Sequence, residues 1–424
     1  MCLLVASLLI FASCNFQDKS REFTTLATAE GMPSSTDEKL NDECIQSFQD
    51  FAYTIPEWNR DESTQNILPL SPWQIEALLP QLPENESLQN ADISAIRSLN
   101  GQIEIWIHVS KVVTRVLPPL PTVQSEAIEE FWVYQPQSKQ WRVIPANLED
   151  TDIFVTNLFV KNDGTLWGQN VRKAKAGDYS EKNIPLLSVF DEQSQQFEYA
   201  NGVVEIPHMQ DENLFQWPYI FLDASEEFLI FVGDDGIYQY NTDDHASEKL
   251  ADLTSLTIRD ATDAPDGSIY FYNYVYSNFL VDGMLYQFFP ENGSIVPVEM
   301  PDESWPIFSG LLVDQNSNLW LGSIGYRGSD GAWHLIYPNL DAYLEHQGEY
   351  FWSPVKLFME SSDGRLWFQK WLDTNIIFEG MAWYDPQTGE GCMFTNQVSN
   401  IMEDANHNLW LVAAGKLFKY SLQP

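Results

Sequence analysis

Four stretches of the chain repeat one short phrase. It reads Thr165-Leu166-Trp167-Gly168, Asn318-Leu319-Trp320-Leu321, Arg365-Leu366-Trp367-Phe368 and Asn408-Leu409-Trp410-Leu411, with a weaker copy at Ser268-Ile269-Tyr270-Phe271. Each copy follows a polar turn: Asp163-Gly164, Asp266-Gly267, Asn316-Ser317, Asp363-Gly364 or Asn406-His407. Such self-similarity marks a supersecondary unit that cannot bury its hydrophobic face alone and must stack on copies of itself. That requirement fixes the architecture and leaves the ligand open.

The unit resolves into strands. Ser309 to Asp314 is an apolar run closed by Asp, Leu319 to Ser323 is a second run, and Gly331 to Tyr337 is a third that ends at Pro338. Short β-type runs bounded by Gly, Asp, Asn and Pro are strands joined by hairpins. Asp-Gly suits the turns because Gly takes positive φ without steric cost. A fuller copy has strands at Val355–Met359, Leu366–Lys370, Gly380–Tyr384 and Gly391–Thr395. Four antiparallel strands per unit of roughly 40–50 residues make a blade of a β-propeller. Anchors at Trp106, Trp167, Leu229, Tyr270, Trp320, Trp367 and Trp410 give seven units. Six or eight stay open, because the copy around Leu229 is degenerate and residues 45–90 are unassigned. The expectation is an all-β, most simply seven-bladed propeller over residues 45–424. The last unit has only three strands, so an N-terminal segment must close the ring and remove its open sheet edges. Ser47 to Ile55 is the expected donor, and Trp73 to Leu79 is the alternative.

Residues 1–13 form an apolar run too short to span a bilayer as a helix, which needs about 20 residues, and read as a secretory signal. Phe11-Ala12-Ser13-Cys14 resembles a bacterial lipobox, with Cys14 the lipidated residue. Phe11 stands where Leu is usual, and no Lys or Arg precedes the run; an ordinary cleaved signal or a start placed too far downstream is the other reading. Residues 14–44 have the polar composition of a tether. The expected address is the outer face of a bacterial envelope membrane, reached through a lipid anchor.

Cys44 and Cys392 are the other cysteines after Cys14. An exported protein can bridge such a pair. Cys392 falls on the outer strand of the sixth blade, and Cys44 approaches from next door if residues 47–55 close the ring. Two separate buried thiols are the alternative.

With 61 acidic and 22 basic residues the formal charge is −39. This excludes nucleic acid and anionic lipid surfaces as partners, since both require Lys and Arg. It favours solubility and a generally acidic exterior, with cationic partners or divalent metal the alternative; a monomer is expected.

Local catalytic motifs are absent. The six histidines are scattered, with no zinc spacing, nucleophile elbow, Walker loop or dinucleotide fingerprint. No cofactor is implied. Asp260, Asp263 and Asp266 faintly suggest a Ca²⁺ loop, but their spacing is three where alternate positions are needed. Better candidates lie in what the units do not share. Trp217, Trp305 and Trp352 each precede a first strand beside a Pro. There they either present aromatic faces to a sugar, apolar or cationic ligand, or wedge between blades. Tyr274 and Tyr276 end an alternating row that begins at Tyr270. Such a row packs between blades unless its tail runs into an exposed insertion. Arg327, in the Gly-rich stretch Ile324 to Gly331 between second and third strands, could hold a carboxylate or be a solvated charge.

Asp363-Gly364-Arg365-Leu366-Trp367 and Asn318-Leu319-Trp320-Leu321-Gly322-Ser323 resemble two-component regulator propeller repeats, which centre on D-x-x-G-N-L-W-x-G-T. The streptogramin-lyase-like propellers share a similar unit. The resemblance spans about residues 90–424 and concerns the residues that build the blade. It implies the propeller of an exported sensor or a related protein, without a kinase, receiver or membrane-spanning segment in this chain. No residues match a lyase's catalytic set. The expected function is a tethered, extracytoplasmic propeller that binds an unknown small molecule, glycan or envelope protein without catalysis. An envelope enzyme (a lyase or glycan-active) with a composite site at the channel mouth, and a structural scaffold, are the alternatives.

Overall fold

The structure is a computed structural model that describes residues 44–53, 68–117, 122–148, 153–172, 184–200, 205–206, 219–222, 228–233, 236–253, 258–277, 280–300, 310–322, 325–336, 355–372, 377–395 and 400–422. Strand β1 (Gln46–Ser47), helix α1 (Phe48–Tyr53) and strand β2 (Gln74–Leu78) come first. Blade 1 is β3 (Glu86–Leu99), β4 (Gln102–Leu117), β5 (Thr122–Gln135) and β6 (Gln140–Pro145). Blade 2 is β7 (Ile153–Val160) and β8 (Leu166–Arg172), then, after β9 (Ile184–Pro185), β10 (Leu187–Asp191) and β11 (Gln196–Tyr199); β9 pairs separately with β12 (Glu205–Ile206). Blade 3 is β13 (Tyr219–Leu222), β14 (Phe228–Gly233), β15 (Gly236–Asn241) and β16 (Ser247–Asp252). Blade 4 is β17 (Ile258–Asp263), β18 (Ile269–Ser277), β19 (Leu280–Phe289) and β20 (Ser294–Val298). Blade 5 is β21 (Leu311–Val313), β22 (Leu319–Leu321), β23 (Gly325–Arg327) and β24 (Trp333–Leu335). Blade 6 is β25 (Val355–Glu360), β26 (Leu366–Leu372), β27 (Ile377–Tyr384) and β28 (Gly391–Thr395), and blade 7 is β29 (Ile401–Glu403), β30 (Asn408–Ala413) and β31 (Lys416–Ser421).

All blades are antiparallel meanders, and the fold is a seven-bladed β-propeller. Among the described residues the hydrophobic core is split into seven clusters, one for each seam between neighbouring blades. The cluster joining Trp410, Val412 and Leu417 of blade 7 to Ile93, Ile105 and Ile107 of blade 1 shows that the ring is closed. Each repeated Trp is buried and points from its own second strand into the seam with the next blade: Trp106 into the second, Trp167 into the third, Trp320 into the sixth, Trp367 into the seventh, Trp410 into the first.

Ring closure corrects the expectation for Ser47 to Ile55. The fourth strand of blade 7 is β2, which pairs with β31 from Gln74↔Lys419 to Leu78↔Lys416. Leu79 then donates its N–H to the Gly415 carbonyl and buries its side chain in the seam with blade 1. Residues 46–47 instead add a fifth strand to the outer edge of blade 6, through Gln46↔Met393 and Ser47↔Cys392. The chain then turns helical because Phe48 and Phe51 have an apolar home: both are buried in the seam between blades 5 and 6, Phe48 against Phe368 and Tyr384.

Candidate binding surface

The repeated phrase is absorbed by the blades themselves. Asp314 and Asp404 each stand six residues before a Trp and accept its indole N–H, Trp320 Nε1 to Asp314 Oδ2 at 2.8 Å and Trp410 Nε1 to Asp404 Oδ2 at 2.7 Å. Ser361 does the same for Trp367 at 2.9 Å. The same carboxylates accept backbone N–H groups of the turn, Asn316 and Asn318 on Asp314 and Asn406 and Asn408 on Asp404. One side chain thus closes the first hairpin and satisfies a buried indole. Across the seams, Glu360 Oε2 accepts the Gln315 N–H and Glu403 Oε2 the Ser362 N–H, tying each turn to the next blade.

In an antiparallel meander the turns after the first and third strands leave one rim, and the connections after the second strand leave the other. On the second rim the blades are unequal. β4 and β5 stay paired for eight rows beyond the row where β6 ends, from Ser110↔Glu129 to Leu117↔Thr122. At about 3.3 Å per residue that raises a sheet about 26 Å beyond the outer strand. β18 and β19 likewise run on from Asn273↔Met284 to Ser277↔Leu280, past the last partner of β20.

The tall sheet of blade 1 carries charge on both faces. On the side toward blade 7, Lys111 Nζ lies 2.9 Å from Glu86 Oε2 and 2.9 Å from Glu130 Oε1. On the side toward blade 2, β3 places Asp92 opposite His108, and β5 places Glu129 opposite Ser110. Ser110 Oγ donates to Glu129 Oε1 at 3.1 Å, and His108 Nε2 stands 3.4 Å from Glu129 Oε2. The imidazole stacks on Phe154 of blade 2, 6.5 Å between centroids and 6° between planes. Burial pushes the Asp92 carboxyl up, against the pull of the Asn90 amide that donates to it. Burial pushes His108 down, and Glu129 opposes that. No motif announces this group: its members come from three strands, and His108 is one scattered histidine in the sequence.

The opposite rim holds a structural network. Arg97 is buried and donates to Glu104 Oε2 at 2.7 Å, while Arg142 donates to both Glu104 oxygens at 2.8 Å. Both guanidiniums lie over Trp106, 5.1 and 5.3 Å from its centre. Burial alone would raise the Glu104 carboxyl; the charges and hydrogen bonds of Arg97 and Arg142 outweigh it and hold the group below its usual range.

At the seam between blades 4 and 5, Asp260 accepts the N–H groups of Gly310 and Leu311, both at 2.8 Å. Burial raises its carboxyl, countered by Lys356 and those amides. Asp266 accepts from Ser268 N and Oγ. Two members of the faint Ca²⁺ pattern thus serve a seam and a turn. Among the described residues no cluster of three or more His, Cys, Asp or Glu could hold a metal ion.

The sequence-nominated residues separate. Trp217, Trp305, Trp352 and Cys14 lie outside the described residues. Tyr274 and Tyr276 sit on the outgrown part of β18, paired with Gly283 and Val281. Arg327 requires a correction: Gly325–Arg327 is itself the third strand of blade 5, paired with both β22 and β24. Its guanidinium packs beside the Gly331 turn and acts on Tyr270 of blade 4, on the rim opposite Tyr274 and Tyr276. The short strand hides in the sequence because Gly325 and Gly328 read as loop. Cys44 and Cys392 are joined in a disulfide, with Cα atoms 5.5 Å apart. It fastens β1 to the outer edge of blade 6; the ring closes elsewhere, at β2.

No protein-family model and no curated protein matches the chain. Among solved structures it is similar to YCF48 bound to D1 peptide, with 12% identity and a TM-score of 0.47 over 84% of this chain and 98% of that one. It is similar to the β-propeller domain of the Trilobed protease from Pyrococcus furiosus, with 10% identity and a TM-score of 0.43 over 79% of this chain and 97% of that one. The extracellular domain of BT4673 from B. thetaiotaomicron matches at 13% identity and a TM-score of 0.32, over 81% of this chain and 52% of that one. The chain spans about half the length of that last protein. Likeness at these identities concerns the fold alone.

Proposed function

We propose that this protein is an extracytoplasmic binding propeller whose working face is the rim with the outgrown hairpins. The observation that carries the reading is the eight-row continuation of β4 and β5 past the end of β6. Ring closure and seam packing need only the rows shared by all blades. A raised, partly charged sheet on one rim is the kind of local elaboration with which a repeat scaffold builds a binding site. The Cys44–Cys392 disulfide supports an oxidising, exported location. Attachment through a lipid on Cys14 is part of the same proposal, and the ligand is a small molecule, a glycan or an envelope protein.

Replacing residues 112–127 by a two-residue turn tests the working face. The shortened protein should keep its unfolding midpoint within a few degrees. It should lose the thermal shift or cross-linked partner that the full chain gives with envelope sugars, peptides or membrane fractions. Equal binding by both proteins would refute the assignment to this rim. Metabolic labelling with a fatty acid, compared between wild type and Cys14→Ala, tests the anchor separately.

A further inference from the structure

We propose that His108 is a proton-operated latch between blades 1 and 2: uncharged, it stacks on Phe154; charged, it leaves that ring for the carboxylate of Glu129. This concerns the seam itself and does not depend on what the rim binds.

The geometry supplies both states. In the stacked state neither His108 Nε2 nor Glu129 Oε2 makes a hydrogen bond, although both atoms are shut off from solvent and lie 3.4 Å apart. Buried polar groups without partners are uncommon and costly. Ser110 holds the other oxygen of Glu129 at 3.1 Å, so Oε2 stays on the side of the imidazole. Phe131 lies 5.4 Å from the imidazole on its own blade, and Phe154 of blade 2 is parallel to it. A short turn of the ring away from Phe154 would give an Nε2–H donor to Oε2 and satisfy both atoms in a charge-assisted bond. Once His108 is charged, that bond opposes the apolar stack.

The charged and titratable groups that face His108 are few. β3 contributes Asp92, whose carboxylate is engaged by Asn90, and β5 contributes Glu129. From blade 2, β7 brings the uncharged Phe154 ring. Lys111, Glu86 and Glu130 lie on the other face of the sheet and are paired with one another. His108 is held below its ordinary value of 6.5, so the folded state binds fewer protons than the unfolded state near that pH. The stacked seam is therefore at full strength above about 6.5 and weakens as pH falls through that value toward the folded one.

Two measurements on the intact protein test the latch. The His108 ring resonances should titrate below 6.5, and the β7 amides should exchange faster at pH 5 than at pH 7.5 after correction for intrinsic rates. A change of about tenfold corresponds to a one-unit shift. His108→Phe keeps an aromatic ring on Phe154 and should abolish the pH-dependent part of that exchange. Glu129→Gln should lower the His108 midpoint further. An unchanged pH response of β7 in His108→Phe would overturn the proposal. So would titration of His108 at its ordinary value with no change in β7.

Discussion

The indole of Trp410 donates to Asp404 at 2.7 Å, across six residues of sequence and from inside the seam that closes the ring. Asp404 also accepts from the backbone of Asn406 and Asn408 and from the Asn408 amide. Removing it strands a buried indole N–H and opens the hairpin. Asp404→Ala should cost about 2–3 kcal/mol, the usual penalty for losing a charged acceptor from a buried site. Urea unfolding of the variant checks the value, and Asp404→Asn, which keeps one acceptor oxygen, should lose less.

Blade 2 lacks this device. Its hairpin has the same backbone closure, Lys161 N to Thr165 O at 3.0 Å and Gly164 N to Lys161 O at 2.8 Å, but Lys161 stands where Asp404 stands in blade 7. The buried Trp167 Nε1 accordingly finds no acceptor. Lys161→Asp should supply one and stabilise the protein by about 1 kcal/mol, even with the 3.0 Å bond from Lys161 to Thr242 lost. A lower unfolding midpoint than wild type would show that the turn cannot present the carboxylate.

Glu104 lies between two arginines and is almost fully buried with Arg97. Glu104→Gln takes from Arg97 its buried counter-charge and leaves it the half-exposed carboxylate of Glu192, so it should cost about 2–3 kcal/mol. The sign of the pH dependence follows from the lowered carboxyl. Its contribution is fully present above the unfolded value of 4.5 and is lost as pH falls through the lower folded value. Unfolding midpoints from about pH 7 down to about pH 3 should show an acid loss in wild type that is smaller in the variant.

Gly310 tests how closely blades 5 and 6 approach. A Cβ there would sit 2.0 Å from the Leu357 carbonyl oxygen and 2.6 Å from its nitrogen, and the residue has φ of +91°. The obstacle is backbone, which cannot rotate away. Gly310→Ala should cost at least about 2 kcal/mol through strain and forced separation. Gly389→Ala, also at positive φ but with nothing within 4 Å, should cost only about 1 kcal/mol. Parallel thermal melts separate the two causes.

Much of the blade is legible in the chain. The Leu-Trp phrase, its turns and its period come from contacts within a few residues, so they recur wherever that unit recurs. The Asp-to-Trp spacing of six is likewise written in the sequence, and its loss at Lys161 can be read there before any seam is seen. β23 escapes such reading because a three-residue strand that begins on Gly325 and ends against Gly328 carries too little pattern to mark it.

Hydrophobic alternation and turn chemistry act locally, so the chain alone dictates the unit, its antiparallel order and the need for a borrowed strand. Which segment closes the ring is settled by packing at long range. Ser47 to Ile55 and Trp73 to Leu79 are both plausible edges, and the choice rests on seams built from distant parts of the chain: Phe48 and Phe51 fill one between blades 5 and 6, Leu79 another between blades 7 and 1. The same holds for the polar groups. Arg97 meets Glu192, and His108 meets Phe154, across a boundary between blades. Neighbours of that kind are set by how the blades stack, which no local pattern records.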